Sequence, residues 1–176
     1  PYFAGFRALT THEIDKPLLN LFRMFGLMGG ERIAAQSSGA LSLETLLESS
    51  ARSNPDINVM ATRKGNNVSV LAWNYDDEAT EAPPANINLT IDDLPQAARR
   101  VLCENFRVGP DLSDSYTVWK AMGSPQQPSP AEYAKVKAAG QLHLLGSPQW
   151  LRSENGAVKL KFALPRQGVS LVYLRW

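Results

Sequence analysis

The chain has little of what most metal-binding and nucleophilic sites are built from. It contains one cysteine, Cys103, and two histidines, His12 and His143. A single cysteine excludes an internal disulfide and a cysteine-based zinc site, and neither histidine stands in a metal-binding spacing such as His-x-x-x-His. We therefore expect Cys103 to be buried and inert, His12 to lie in a loop and His143 to be half-buried.

The chain also lacks an excess of charge and a long apolar run. Its 18 Lys and Arg residues against 17 Asp and Glu residues leave a net charge of +1, and the basic residues form no stripe that would neutralise a phosphate backbone. Apolar runs such as residues 68–73 are far shorter than the ~20 residues of a membrane-spanning helix. Neither nucleic acid nor a membrane is a predicted partner, and the compartment stays open.

Familiar catalytic motifs are missing as well. The sequence has no Gly-x-Ser-x-Gly elbow and no glycine-rich phosphate loop. Acidic residues cluster at 76–78 and 92–93, where both clusters flank turns, and we expect them to be solvated rather than paired for acid and base work. The chain starts Pro1-Tyr2-Phe3 without methionine or leader, so we expect it to be processed or cut from something longer.

What is present is the composition of a folded protein, with 44% hydrophobic and 20% charged residues. Residues 2–9 predict a short strand. Pro17 then favours a helix start, and apolar residues at helical spacing predict a helix that is closed by Gly26 and the pair Gly29-Gly30. The apolar residues are Leu18, Leu21, Phe22, Phe25 and Met28. One strand and one helix are half of a βαβ unit and cannot bury both their faces alone.

From Glu31 onward the pattern predicts a mainly β domain, an antiparallel β-sandwich. Strands are expected at 57–62, 68–75, 86–91, 99–108, 158–164 and 169–176. The first two form a hairpin around 64–67, and the last two form another around 165–168, with the final strand central because it is apolar on both faces. A helix is expected from Ser129-Pro130 to Gly140, and residues 41–52 fit either a helix or strand and loop.

The four tryptophans are the remaining candidates for a binding role. Trp73 and Trp176 lie in predicted strands and are expected in the core. Trp119 and Trp150 are the two whose rings could stack on a sugar.

Several stretches together resemble one family, glycoside hydrolase family 39, which contains β-xylosidases and α-L-iduronidases. They are Gly5-Phe6-Arg7 through Asp15-Lys16-Pro17-Leu18-Leu19-Asn20-Leu21-Phe22-Arg23-Met24-Phe25-Gly26, then Val70-Leu71-Ala72-Trp73-Asn74-Tyr75, then Asp114-Ser115-Tyr116-Thr117-Val118-Trp119-Lys120-Ala121-Met122-Gly123-Ser124-Pro125, and the ending Leu164-Pro165-Arg166-Gln167-Gly168-Val169-Ser170-Leu171. The first resembles the last strand and helix of the catalytic barrel of that family, and the ending resembles its terminal hairpin.

The resemblance implies a retaining glycosidase made of a (β/α)8 barrel and a β-sandwich accessory domain. A complete barrel takes roughly 250 residues, so this chain would hold residues 1–30 as the last barrel strand and helix and residues 31–176 as the accessory domain. The acid/base residue of the family follows an asparagine in an Asn-Glu pair, which this sequence lacks. No catalytic residue is therefore assigned here, and the catalytic glutamates are expected upstream.

Two residues could reach substrate under this interpretation. Phe3 and Phe6 belong to the predicted last barrel strand, whose C-terminal end faces the active site, and they would form an apolar wall of the sugar pocket or pack in the barrel core. The expected partners are a xylo-oligosaccharide or another glycoside held by the missing barrel, the upstream barrel segment, and a second copy in a homo-oligomer. No cofactor is implied, because retaining hydrolysis uses carboxyl groups and water. The alternative is a noncatalytic carbohydrate-binding or structural β-sandwich module.

Overall fold

A computed structural model describes residues 2–3, 8–52, 54–78 and 82–176 of the chain. Within these ranges the fold is mixed and mostly β, with antiparallel sheets. The strands are β1 (Thr10–Thr11), β2 (Ile14–Asp15), β3 (Glu31–Ile33), β4 (Asp56–Lys64), β5 (Asn67–Tyr75), β6 (Ala85–Ile91), β7 (Arg100–Val108), β8 (His143–Leu144), β9 (Gln149–Arg152), β10 (Val158–Leu164) and β11 (Gly168–Arg175). The helices are α1 (Pro17–Leu27), α2 (Leu43–Ser49), α3 (Ser115–Ala121) and α4 (Pro130–Ala139).

The larger sheet has seven strands in the order β3-β4-β5-β11-β7-β8, with β9 also paired to β7. The predicted hairpin of β4 and β5 is confirmed, with Lys64 opposite Asn67 and Gly65 in the turn at a φ of +55°. Glycine adopts this left-handed conformation at no steric cost. The prediction that the last strand is central is also confirmed, because β11 lies between β5 and β7.

The second sheet has two strands, β6 and β10, paired antiparallel along their whole length. The predicted hairpin of the last two strands is therefore wrong. The turn at 165–168 is present, but it carries the chain from β10 in the small sheet to β11 in the large one. Proline and glycine at 165 and 168 predict that the chain changes direction there. They do not predict which strand pairs with the strand that follows.

The two sheets face each other across the largest core cluster. Side chains from β5, β7 and β11 of the large sheet meet side chains from the small sheet there, and the buried apolar members include Val70, Val101, Val158, Val172 and Leu174. Trp176 is partly buried against this cluster, as expected for a core residue.

Helix α1 covers part of the opposite face of the large sheet. It starts at Pro17 as predicted, although its N-cap is Lys16 without a side-chain cap bond. Met24 is completely buried and packs in one cluster with Leu71, Val108 and Leu171 of the sheet. The ambiguous segment 41–52 holds the short helix α2, in which no residue is buried.

Helices α3 and α4 pack together beside the start of the chain. The prediction of α4 is confirmed: Ser129 caps it in a capping box with Glu132, and it ends at Gly140. The sequence analysis missed α3, whose N-cap Asp114 accepts hydrogen bonds from the backbone N–H groups of Tyr116 and Thr117. None of the described helices is long and apolar enough to cross a membrane.

Half of the strand predicted at 2–9, residues 4–7, lies outside the described residues. Tyr2 and Phe3 lie in a turn, and residues 8 and 9 are not in a strand. Among the described residues, the first regular structure is a small hairpin of β1 and β2 that the sequence analysis did not predict. Its turn residues His12 and Glu13 have φ values of 47° and 61°.

Candidate functional site

An aromatic cluster surrounds the first described residues. The ring of Tyr2 stacks on His12 with centroids 4.3 Å apart and planes 12° from parallel. The ring of Phe3 lies 4.9 Å from Trp119 and 5.7 Å from Tyr116. Phe3 is therefore partly buried against helix α3 rather than free in solvent.

Hydrogen bonds fix the backbone beneath this aromatic cluster. Thr11 Oγ1 donates to the carbonyl oxygen of Tyr2 at 2.7 Å, and the Tyr2 N–H donates to Gln126 Oε1 at 2.9 Å. The Tyr133 hydroxyl donates to the carbonyl oxygen of His12 at 3.1 Å. The turn of the β1–β2 hairpin is thus held to helix α4.

The two predicted substrate-wall residues have different outcomes. Phe3 lies in the aromatic cluster, whereas Phe6 lies outside the described residues. Among the tryptophans, Trp119 is only 7% exposed, and its indole N–H donates to the Pro125 carbonyl oxygen at 2.9 Å. The prediction that Trp119 could stack on a sugar is therefore wrong. Trp150 is 58% exposed, with the Arg100 guanidinium 5.5 Å from its ring centroid.

Helix α1 carries an exposed apolar stripe beside the face that packs on the sheet. Leu18, Phe22 and Phe25 are exposed by 43%, 55% and 42%. These positions are four and three residues apart, so they lie on one face of the helix. Large apolar side chains clustered on a surface mark an interaction site more often than a solvated one.

A groove of about 390 Å³ runs between α1 and the large sheet. Its lining is mostly apolar and comes from the helix and from β4, β5 and β11, including Leu21, Phe25, Met60, Trp73 and Val169. Trp73, expected in the core, is half-buried at this groove, and its indole N–H donates to Asp56 Oδ2 at 2.8 Å. The helix therefore covers this face of the sheet incompletely.

The acidic cluster at 76–78 differs from expectation at one residue. Asp76 is only 3% exposed and forms an ion pair with Arg166 at 3.1 Å. Its partner lies 90 positions away in the β10–β11 turn, so no local pattern predicts the burial. Asp92 and Asp93 are exposed, as expected.

Arg107 is the largest fully buried side chain, at 1% exposure. Its Nε donates to Ser170 Oγ at 2.8 Å, its Nη1 to Asp111 Oδ2 at 3.0 Å and its Nη2 to the Ala163 carbonyl oxygen at 2.7 Å. Burial lowers the pKa of the guanidinium, and the nearby Asp111 carboxylate opposes that shift. Arg107 joins β7, β11 and the end of β10, which is a structural role.

The surroundings of one described carboxyl group, that of Glu132, can be compared with those of a glycosidase acid. A retaining glycosidase needs two carboxyls about 5 Å apart, one of which has a raised pKa. Hydrogen bonds from the backbone and side chain of Ser129 lower the pKa of Glu132, the opposite of what an acid catalyst requires. Within the described ranges, no group of three or more His, Cys, Asp or Glu side chains is placed to hold a metal ion.

The cysteine and histidine predictions are tested by burial. Cys103 is buried, and desolvation, with a smaller contribution from Glu104, raises its pKa to about 11. Such a thiol is a poor nucleophile near neutral pH, which confirms the prediction. His12 lies in a turn as expected, but His143 is exposed rather than half-buried. Its ring Nε2 lies 3.1 Å from the Ala138 carbonyl oxygen.

Comparison with known proteins decides the family. Residues 1–144 match glycosyl hydrolases family 39. The chain belongs to this family. The match covers the four helices, five of the seven strands of the large sheet and β6 of the small sheet, and it confirms the resemblance seen in the sequence.

Three relatives show how the chain compares with whole family members. A β-xylosidase of Geobacillus stearothermophilus is 22% identical over 171 residues, which cover 97% of this chain and 29% of that protein. The structure of a monomeric β-xylosidase from Caulobacter crescentus is 17% identical with a TM-score of 0.67, over 92% of this chain and 31% of that chain. A bacterial orthologue of human α-L-iduronidase is 16% identical with a TM-score of 0.75, over 92% of this chain and 27% of that chain.

The chain spans less than a third of the length of these relatives. The remaining two thirds or more of each relative has no counterpart among residues 1–176. At these identities the structural matches establish the fold alone.

Sequence reasoning missed one residue that organises this region. Asn20 is fully buried, and its Nδ2 donates to the carbonyl oxygens of Ser113 and Gly140 at 3.1 and 2.7 Å. It therefore joins α1 to the segments that flank α3 and α4. The available signal was an amide side chain between two leucines in a mostly apolar helix.

Proposed function

We propose that this chain is the C-terminal portion of a retaining glycoside hydrolase of the β-xylosidase type. The whole enzyme would remove terminal β-xylosyl residues from xylo-oligosaccharides, and its catalytic glutamates would lie in the barrel upstream of residue 1. The observation that carries this proposal is the family match over residues 1–144 in a chain that spans only 29% of a β-xylosidase.

The surface of α1 supports the proposed division of the chain. Residues 1–30 would be the last strand and helix of the barrel, and residues 31–176 the accessory β-sandwich. A barrel helix packs on its neighbours as well as on its own strand. Leu18, Phe22 and Phe25 remain about half exposed within the described residues, as expected of a helix separated from the rest of a barrel.

The accessory part would brace the barrel through α1. Met24 packs against the large sheet, while Leu18 and Phe22 of the apolar stripe remain about half exposed. The helix is thus suited to lie between two bodies, with the sheet on one side and barrel helices on the other.

Phe3 and Phe6 would contribute an apolar wall of the sugar pocket. The contacts of Phe3 with Trp119 and Tyr116 fix its ring at one edge, so it would act as a rigid wall. This role belongs to the whole enzyme, because the remaining walls of a barrel pocket come from the other strands.

The test compares the whole protein with residues 1–176 on aryl β-xylosides. We expect hydrolysis by the whole protein and none by residues 1–176. An aryl α-L-iduronide serves as the second substrate, because one relative is described as an iduronidase orthologue. Turnover by residues 1–176 that survives repurification would contradict the proposal. If the whole protein hydrolysed the iduronide faster than the xyloside, the proposed substrate would change from a xyloside to an iduronide.

A second candidate, a noncatalytic carbohydrate-binding module, is favoured by Trp150 alone. Its ring is 58% exposed on β9, and exposed aromatic faces stack on sugars. The test is titration of the protein with xylo-oligosaccharides before and after Trp150→Ala. Saturable binding that Trp150→Ala abolishes would favour this function, and no binding at millimolar sugar would exclude it.

A further inference from the structure

Trp150 lies on strand β9 at the edge of the large sheet. Among the described strands, β9 pairs with β7 alone, and Trp150 is more than half exposed. Its indole N–H has no acceptor within the described residues, whereas the indole N–H groups of Trp73 and Trp119 each have one. Trp150 therefore offers both a ring and a hydrogen-bond donor to a ligand.

Two arginines flank this ring on the same face of the sheet. Trp150 and Arg152 are two positions apart on β9, so their side chains share a face, and Arg100 lies directly opposite Arg152 on β7. The Arg100 guanidinium lies 5.5 Å from the ring centroid of Trp150. Val101 and Leu151, the next residues on the two strands, pack in the core on the other face. We call the three side chains of Arg100, Trp150 and Arg152 the β7–β9 surface.

The positive charges of the β7–β9 surface are not neutralised within the described residues. Arg100 and Arg152 are both exposed, and neither forms an ion pair with a described carboxylate. By contrast, Arg175 on β11 pairs with Glu104 at 3.0 Å. Like charges directly opposite each other destabilise a sheet. An anion bound between Arg100 and Arg152 would remove this repulsion.

The chemistry of the β7–β9 surface fits a sugar that carries a carboxylate. An indole ring can stack on the apolar face of a sugar ring, and a guanidinium donates two parallel hydrogen bonds to a carboxylate. A phosphate ion would use the arginines and leave the indole ring without a contact. A neutral sugar would use the ring and leave the two charges unpaired. An acidic sugar uses all three side chains.

We propose that the β7–β9 surface binds a uronic acid unit of an acidic xylan or xylo-oligosaccharide. Trp150 stacks on the sugar ring, and Arg100 and Arg152 bind its carboxylate. This inference rests on the proposed function, because that function makes xylan-derived sugars the substrate, and it adds the class of side chain that the accessory part recognises.

The position of the β7–β9 surface leaves it clear of helix α1. Met24 of α1 packs in one cluster with Val108, at the other end of β7. Arg100 precedes Val108 by eight residues along this strand, which corresponds to about 26 Å. A sugar on the β7–β9 surface can therefore be bound while barrel helices cover α1.

Two forms of one polysaccharide test the need for the carboxylate. A glucuronoxylan carries glucuronic acid side chains, and chemical reduction of their carboxyl groups gives a neutral polymer with the same backbone. Binding of the whole enzyme to each immobilised polymer is measured by biolayer interferometry. We expect binding to the reduced polymer to be at least about tenfold weaker, because the charge-assisted hydrogen bonds are lost. Equal affinity for the two polymers, or no binding to either, would overturn the proposal.

Arg152→Gln and Arg99→Gln are a matched pair of variants of the whole enzyme. Each removes one positive charge from an exposed arginine, but Arg99 lines a different cavity together with Leu94 and Asn155. We expect Arg152→Gln, like Trp150→Ala, to weaken binding to the glucuronoxylan at least about tenfold, and Arg99→Gln to change it less than about twofold. Equal losses from the two glutamine variants would make the attraction a general effect of charge and overturn the proposal.

Polyglutamate distinguishes an acidic sugar from an acidic peptide. This polymer carries carboxylates without sugar rings, so Trp150 has no ring to stack on. We expect the whole enzyme to bind immobilised polyglutamate at least about tenfold more weakly than the glucuronoxylan. Equal or tighter binding of polyglutamate would assign the surface to a peptide and overturn the proposal.

Activity separates this inference from the proposed function. A whole enzyme that hydrolyses the aryl β-xyloside but binds both forms of the xylan equally contradicts the acidic sugar site and leaves the glycosidase proposal intact. A whole protein that prefers the glucuronoxylan but hydrolyses no aryl glycoside contradicts the proposed function instead.

Discussion

The two sides of helix α1 have opposite surroundings. On the side toward the sheet and the α3–α4 pair, Met24 and Asn20 are fully buried. On the adjoining face, Leu18, Phe22 and Phe25 are about half exposed although they are just as apolar as Met24. Large apolar side chains that remain exposed together mark a contact surface, which the barrel neighbours proposed for α1 would cover.

The buried side should give the largest effect on stability. Met24→Ala removes a completely buried side chain from the cluster with Leu71 and Leu171 and is expected to lower the free energy of unfolding by about 4 kcal/mol. Thermal or urea unfolding of the whole enzyme measures this. Met24→Leu, which nearly conserves volume, should cost less than about 1.5 kcal/mol. Equal losses in the two variants would show that Met24 is not tightly packed.

The uncovered side gives the sharpest test of the comparison. Leu18 is 43% exposed and Leu145, far along the chain, is 39% exposed. If barrel helices cover α1 in the whole enzyme, Leu18→Ala should lower the free energy of unfolding by about 3 kcal/mol, and Leu145→Ala by less than about 1 kcal/mol. Urea unfolding of both variants of the whole enzyme decides this. If both substitutions lowered the free energy of unfolding by the same small amount, α1 would not be covered by barrel helices.

The polar contact on the buried side comes next. Asn20→Ala leaves the carbonyl oxygens of Ser113 and Gly140 without their donor and should lower the free energy of unfolding by about 2 kcal/mol. The exposed Asn54→Ala should change it by less than about 0.5 kcal/mol. If calorimetry finds the two substitutions equivalent, Asn20 does not join α1 to its neighbours.

The smallest effect lies away from α1. Ser129→Ala removes the N-cap of α4 and half of its capping box, and the expected loss is about 1 kcal/mol. Ser147→Ala, at an exposed position outside any helix, is the control and should be neutral. A neutral Ser129→Ala would mean that packing of Val136 alone defines α4.

Local sequence patterns predicted the elements whose causes are local. The start of α1 at Pro17, the capping box of α4 and the turn at Gly65 each follow from residues within a few positions. The apolar character of β11 on both faces predicted its central place, because only a strand between two others and covered on both faces needs it.

What failed depended on partners far along the chain. Asp76 was expected in solvent, but Arg166 buries and pairs it. The turn after Leu164 was expected to close a hairpin, whereas β10 pairs with β6, which comes more than 60 residues earlier. For the candidate site, the sequence showed two things. It lacks the Asn-Glu pair of the family, and it carries apolar residues along α1 that a lone strand and helix cannot bury.

The measurement that tests the central claim most directly is the intact mass of the natural protein that carries this sequence. The account predicts a mass well above the 19.3 kDa of these residues, with the additional sequence containing the catalytic glutamates. A mass of 19.3 kDa would contradict it, because the exposed side of α1 would then have no barrel to cover it.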